Sequence, residues 1–326
     1  MGLAIRPAPF VSLGEVKFVR ECIIPSHEAA VRALGIVSGL AAASIWGGMY
    51  VVSKVVLDII PPFALVSARL LLGAAAVGLV VWARGGLKAR RGQILRVLGV
   101  GAVGYGVSLG LQFIGTRLST AANASLVTTA SPAFIFLFGV LLLGERARLT
   151  GVAGLLMAAL GVLAVIDPRT ASLDGGLLRG NLALLGASVT WGLYSVLVKV
   201  VSRDLGTLEI SLLAFLGGLP LTLPAALVEA RATEVGLISP GVLLGVLYLG
   251  LVSTALAMVL WNKSLALLDA GLVAILFFAQ PVVGAALGAL FLHEELGPGF
   301  WIGAILIGGG VLVAGRAPRK RVEFAG

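Results

Sequence analysis

Apolar residues run in long blocks along this chain, and the polar positions between them come in short clusters. Blocks of spanning length fall near residues 34–57, 62–83, 94–116, 120–143, 149–166, 178–201, 207–228, 239–265, 270–292 and 299–315. Each is close to the 17–25 residues an α-helix uses to cross a bilayer. The separators carry helix breakers: "DIIPPF", "RGGLKARRGQ", "GERARLT", "DPRTASLDGG", "SRDLGT", "EARATEVGLISP", "LLDAG" and "HEELGPG". The narrowest divisions are at 117–120 and 266–270, where two apolar stretches nearly fuse. No block alternates with the period of two that a membrane barrel shows, so the pattern predicts ten transmembrane helices in an all-α membrane protein.

Composition sharpens this picture. The chain is 59% hydrophobic and 12% charged, with a mean hydropathy of +1.08. Soluble domains are about one-quarter charged, so this chain lacks the polar residues to face water over most of its surface. Its 45 glycines suit close helix packing in lipid. Cys22 is the single cysteine, which excludes a disulfide within the chain. Residues 1–33 mix charges with three prolines and show no signal-peptide pattern. They read as a cytoplasmic tail in which "SLGEVKFVRECII" is either irregular or a short helix lying on the membrane.

The net charge of +9 and pI near 10.3 raise nucleic acid as a partner. The distribution of Lys and Arg argues otherwise. With the N-terminus inside, 18 of the 24 fall on the inner side and 4 on the outer, while Lys54 and Arg69 lie within spans. That asymmetry is the positive-inside signature and places both termini, including a basic tail at 316–326, in the cytoplasm. The partners implied are lipid and a small-molecule substrate, with no nucleic acid. A monomer is the simplest assembly.

The chain also repeats itself. "SIWGGMYVVSKV" (44–55) and "TWGLYSVLVKV" (190–200) both carry a tryptophan eight residues before a lysine, with a tyrosine one turn after the tryptophan. "SPAFIFLFGVLLLGER" (131–146) matches "QPVVGAALGALFLHEE" (280–295), with Pro132 on Pro281 and Glu145 on Glu294. Gly154 matches Gly303 and Gly161 matches Gly310 at the same offset of 149. The unit P-x12-E-x8-G-x6-G thus appears twice. Two five-span units, 34–167 and 178–315, follow. Five is odd, so the second enters the membrane inverted, which is the architecture of secondary transporters with a substrate site near the midplane.

Ten spans in a five-plus-five repeat, W-G in spans 1 and 6, and P…(G/H)E closing spans 4 and 9 resemble the EamA family of the drug/metabolite transporter superfamily. Within it, the resemblance is greatest to bacterial exporters of aromatic amino acids, and it extends over residues 34–315. It implies export of amino acids or similar metabolites across the bacterial inner membrane. It also implies a central cavity lined by spans 1, 3, 4, 6, 8 and 9, with 2, 5, 7 and 10 outside.

Trp46, Tyr50, Trp191 and Tyr194 lie mid-span rather than in interfacial belts, and Tyr105 joins them among small neighbours. They serve either as helix packing or as aromatic walls for a substrate, with Gln280, Ser131, Gln112 and Asn262 as neutral polar contacts. Lys54 and Lys199 either snorkel to headgroups or guard the two mouths. Pro132 and Pro281 predict kinks that free the carbonyls of Thr128 and Phe277 and supply candidate hinges. Arg69, aligned with Ala214 in the second repeat, reads as structural, paired with Asp58 or with helix-end carbonyls. Trp261 reads as an interface anchor.

Asp and Glu are confined to tails, loops and terminal turns, and His27 and His293 are peripheral. No buried carboxylate offers a proton relay, which points to uncoupled transport. No HExxH, CxxC or P-loop is present, and "GVGAVGYG" (99–106) follows no strand, so it reads as helix packing. No catalytic site, metal or cofactor is implied. A net-neutral zwitterion with a ring side chain suits such a cavity best, and a planar organic cation is the alternative.

Overall fold

A computed structural model describes residues 27–144, 149–166, 175–201, 205–233, 236–267 and 276–315. Ten helical spans are found among these residues: α1 (His27–Leu57), α2 (Pro62–Ala83), α3 (Arg91–Leu118), α4 (Ala121–Leu143), α5 (Leu149–Ile166), α6 (Gly176–Val201), α7 (Thr207–Ala232), α8 (240–267), α9 (Ala279–Leu292) and α10 (Pro298–Gly315). Seven are long and apolar enough to cross a membrane, and three more carry shorter apolar stretches. The described part of α9 starts at Ala279, and the 266–270 division lies outside the described residues except for its first two. The helix of span 1 already includes His27, inside the segment read from sequence as tail, because "HEAAVRALG" holds good helix formers.

The helices pair as a twofold repeat requires. α1 packs on α8 and α9, and α6 packs on α3 and α4. α3 lies against α7 as α2 lies against α8, and α2 with α7, α4 with α9 and α5 with α10 pair across the repeat axis. Exchanging each helix with its counterpart five spans on leaves this set of neighbours unchanged. Backbone detail follows the same symmetry. α4 breaks at Thr129–Ala130 and α9 is preceded by a turn at Phe277–Phe278. Gly144 ends α4 with φ 64° and His293 ends α9 with φ 53°, both left-handed, 149 positions apart. π-helical turns interrupt α3 at Ala102–Ser108 and α8 at Tyr248–Leu256.

The glycines shared by the repeats explain the α5–α10 contact. A Cβ at Gly310 would lie 2.6 Å from the Gly154 carbonyl oxygen, and one at Gly161 would lie 3.0 Å from that of Gly303. Each repeat therefore supplies one glycine that accepts the other's backbone. Large apolar side chains such as Leu156, Ile305 and Trp301 remain exposed on the outer faces of this pair, where lipid covers them.

The acids at helix ends act as caps. Glu229, near the end of α7, accepts the backbone N–H groups of Phe63 (2.7 Å) and Ala64 (3.3 Å) at the start of α2. Glu209, at the other end of α7, accepts the N–H of Gly206 at its own helix start (3.3 Å) and that of Lys88 in the α2–α3 loop (2.6 Å). Carboxylates at helix N-termini satisfy orphan donors and favour the dipole.

Candidate functional site

A cavity at mid-bundle is lined from α1 by Trp46, Met49 and Tyr50, and from α3 by Tyr105, Leu109 and Gln112. α4 adds Thr128 and Ser131, α6 adds Ala187 and Trp191, α8 adds Ser253, Thr254 and Met258, and Gln280 and Phe277 come from α9 and its approach. These are the helices the resemblance implied. One further residue reaches in from α2: Arg69.

Two aromatic clusters face each other across this space. Trp46 stacks against Trp261 (5.4 Å between ring centroids) and Phe277 (5.9 Å), and its indole N–H donates to the Ser253 carbonyl (2.9 Å). Trp191 lies edge-on to Tyr105 (5.8 Å), and Tyr194 backs both at 4.9 and 5.3 Å. Tyr194 therefore supports the wall from behind rather than lining it. Trp261 belongs to the first cluster and is not simply an interface anchor. The π turn in α3 suits the second cluster: with no side chain, Gly104 lets the Tyr194 ring come within 2.3 Å of where a Cβ would stand.

The polar floor is built at the α4 break. The Tyr50 hydroxyl bonds the Thr128 hydroxyl (2.5 Å), and the Gln280 amide donates to Thr128 Oγ1 (3.0 Å) and the Ser125 carbonyl (3.1 Å). The kinks expected near Pro132 and Pro281 are present. The carbonyls expected to be open there have partners: Ser131 Oγ donates to the Thr128 carbonyl (2.7 Å), and the Gln280 N–H donates to that of Phe277 (3.0 Å).

Arg69 departs from its expected partners. It is 3% exposed, and no described carboxylate lies against it; Asp58 sits exposed past the end of α1. Its guanidinium donates to Thr254 Oγ1 (2.9 Å), Ser253 Oγ (3.3 Å) and Met49 Sδ (3.3 Å), and lies over the Phe113 ring at 5.1 Å. The π turn of α8 carries both hydroxyls to the cavity side, so the side chain runs inward instead of toward a helix end.

At one end of the bundle, Lys54 Nζ donates to the carbonyls of Arg117 (2.7 Å) and Ser119 (2.5 Å), closing the last turn of α3. Beside it Glu294 accepts the N–H groups of Ala121 (2.6 Å) and Ala122 (2.8 Å), the first turn of α4. Ser119 Oγ donates to Asn181 Oδ1 (2.5 Å), adding α6. These contacts tie α1, α3, α4, α6 and the end of α9 together about one helical turn beyond Tyr50. The side chains of Lys199 and Asn262, and all of Glu145, lie outside the described residues.

Ten helices in a repeated five-helix arrangement around a central cavity suit a membrane transporter. The EamA-like transporter family matches residues 33–166 and 178–316, and the chain belongs to that family. A probable amino-acid metabolite efflux pump of Escherichia coli is 28% identical over 85% of this chain and 93% of its own length. A probable biotin transporter of Pseudomonas aeruginosa is 28% identical over 77% and 85%. A crystal structure shares the fold with a TM-score of 0.62 at 24% identity, covering 86% of this chain and 96% of its own.

Proposed function

We propose that this chain exports amino acids, aromatic and other apolar ones foremost, across the bacterial inner membrane by alternating access, as a facilitated and uncoupled carrier. Trp46, Tyr50, Tyr105, Trp191 and Gln280 line the substrate site, and Tyr194 holds its wall from behind. Residues 34–167 and 178–315 act as the two halves, Pro132 and Pro281 are their hinges, and Lys54 and Lys199 guard opposite mouths. The observation that carries this reading is the pair of aromatic clusters facing one polar floor. Apolar contact is worth roughly 25 cal/mol per Å², so a ring side chain gains more here than a methyl. The metabolite-efflux relative supports export of amino-acid-like solutes. Arg69 weakens the organic-cation alternative, since a buried guanidinium repels a second cation.

Replacing Trp46 or Trp191 with Ala is expected to remove the preference for phenylalanine over alanine in proteoliposome transport while the protein still folds. Folded variants that keep the wild-type rate and preference sink the aromatic-wall reading. Uncoupled transport predicts that an imposed pH or Na⁺ gradient drives no accumulation above equilibrium; accumulation with either gradient refutes it. With both termini in the cytoplasm, a reporter fused after Gly326 that works only outside the cytoplasm stays silent. Activity of that reporter reverses the topology.

A further inference from the structure

Arg69 is the one charged residue of the cavity wall among the described residues, and three of its five N–H groups have acceptors there. Its hydrogen bonds use Nε and one N–H on each terminal nitrogen, all toward neutral groups. A guanidinium carries a second N–H on each terminal nitrogen, and neither of these has an acceptor among the described residues. Guanidinium N–H groups in one plane are the donors that recognise a carboxylate by two points. Phe113 covers one face of the group, and Thr254 and Ser253 fix its position. A charge at this depth costs several kcal/mol when it has no counter-ion. Among the described residues no Asp or Glu lines the cavity to supply one.

The repeat sharpens the point. The aligned position in the second half, Ala214, is fully buried, and its carbonyl oxygen lies 2.2 Å from where a Cβ on Gly101 would stand. There the symmetric contact is made by close backbone packing with no charge. The charge is therefore particular to the first repeat.

We infer that Arg69 is the anchor for a carboxylate on the transported molecule. This deepens the reading above and rests on it for the location of the site. Substrates are then organic acids with a flat apolar body, zwitterionic or singly anionic. The carboxylate meets Arg69, and the ring lies between the Trp46 and Trp191 clusters. The same molecule without its carboxylate is rejected, because it leaves the guanidinium uncompensated.

Matched ligands test this on the full chain in nanodiscs, with binding read from the tryptophan fluorescence of the cavity. The carboxylate probes are phenylalanine, N-acetylphenylalanine and 3-phenylpropionate. The probes without a carboxylate are phenylalaninamide and 3-phenylpropionamide. In the wild type, each amide is expected to bind on the order of tenfold or more weaker than its acid. Arg69→Gln is expected to bring acid and amide to similar affinity, and Arg69→Lys to keep part of the preference. Equal binding of acid and amide by the wild type overturns the inference, as does failure of all three acids to bind. A folded Arg69→Gln protein that retains the full preference also overturns it. Should that variant fail to fold, the wild-type ligand pairs decide alone. Binding of 3-phenylpropionate that depends on Arg69, without transport of phenylalanine, ends the amino-acid reading and keeps the anchor. Transport of phenylalanine and its amide at equal rates does the reverse.

Discussion

Gly310→Val is expected to destabilise the folded protein more than any conservative change at the cavity, while leaving transport per folded molecule near the wild-type value. The new Cβ would lie 2.6 Å from the Gly154 carbonyl oxygen, with Met157 Cβ at 3.1 Å on its other side. Backbone cannot swing aside as a flexible side chain can, so α5 and α10 must separate. In lipid the association of two helices rests on close packing, with no hydrophobic gain to offset the lost fit. Overpacking of this kind costs roughly 1–3 kcal/mol. Gly161→Val, the repeat-related change, meets Ile307 and the Gly303 carbonyl and is expected to behave alike. Gly99→Ala is the control, because nothing lies within 4 Å of its added methyl. The measurement is the thermal unfolding midpoint in detergent, with transport normalised to folded protein. Equal midpoints for Gly310→Val, Gly161→Val and Gly99→Ala would show that the glycine contacts do not hold this pair. Loss of transport by fully stable protein would instead place α5 and α10 in the moving part.

Much of this arrangement was legible in the sequence because its signals are periodic or repeated. Block lengths set the ten helices. The offset of 149 located both prolines, both left-handed helix ends and the glycines of the α5–α10 crossing. Trp46 and Trp191 could be singled out because mid-span tryptophans are unusual. What stayed hidden depends on which way a helix faces. The partners of Arg69 are not readable in the sequence, which does not reveal that the π turn in α8 offers Thr254 and Ser253 toward it. A single extra residue per turn leaves no mark in an apolar run. Tyr194 and Tyr105 looked equivalent, and only the packing of Tyr194 behind Trp191 separates wall from support. The Thr128 carbonyl looked open because Pro132 cannot bond it, yet Ser131, one residue earlier, turns back to do so. Trp261 sits close to a helix end in sequence but meets Trp46 in space.

Removing Lys54 and Glu294 together is expected to open the end of the bundle where they lie. Lys54 closes the last turn of α3, and Glu294 opens the first turn of α4, so these two side chains bridge the α3–α4 corner to α1 and to the end of α9. Their positions follow from the repeat motif. A left-handed residue, His293, ends α9, and the next residue turns back across the bundle. Hydrogen bonds with one charged partner contribute about 1.5–3 kcal/mol each when buried, and less where water reaches them. Both side chains here are half-buried, so the lower part of that range applies. A shift of 1.4 kcal/mol in a two-state equilibrium is about tenfold in population. Lys54→Met with Glu294→Ala should therefore raise access to the cavity from this end on the order of tenfold. A single cysteine at Ala187, which lines the cavity, reports on this after Cys22→Ser removes the native thiol. A membrane-impermeant thiol reagent is added from the side where Lys54 lies. Faster labelling of the double variant, with Gly99→Ala unchanged, is the expected result. Labelling at the wild-type rate in a folded double variant would mean that these contacts cap helices without holding a gate, and the closure would then have to come from the apolar packing of α1 and α6 alone.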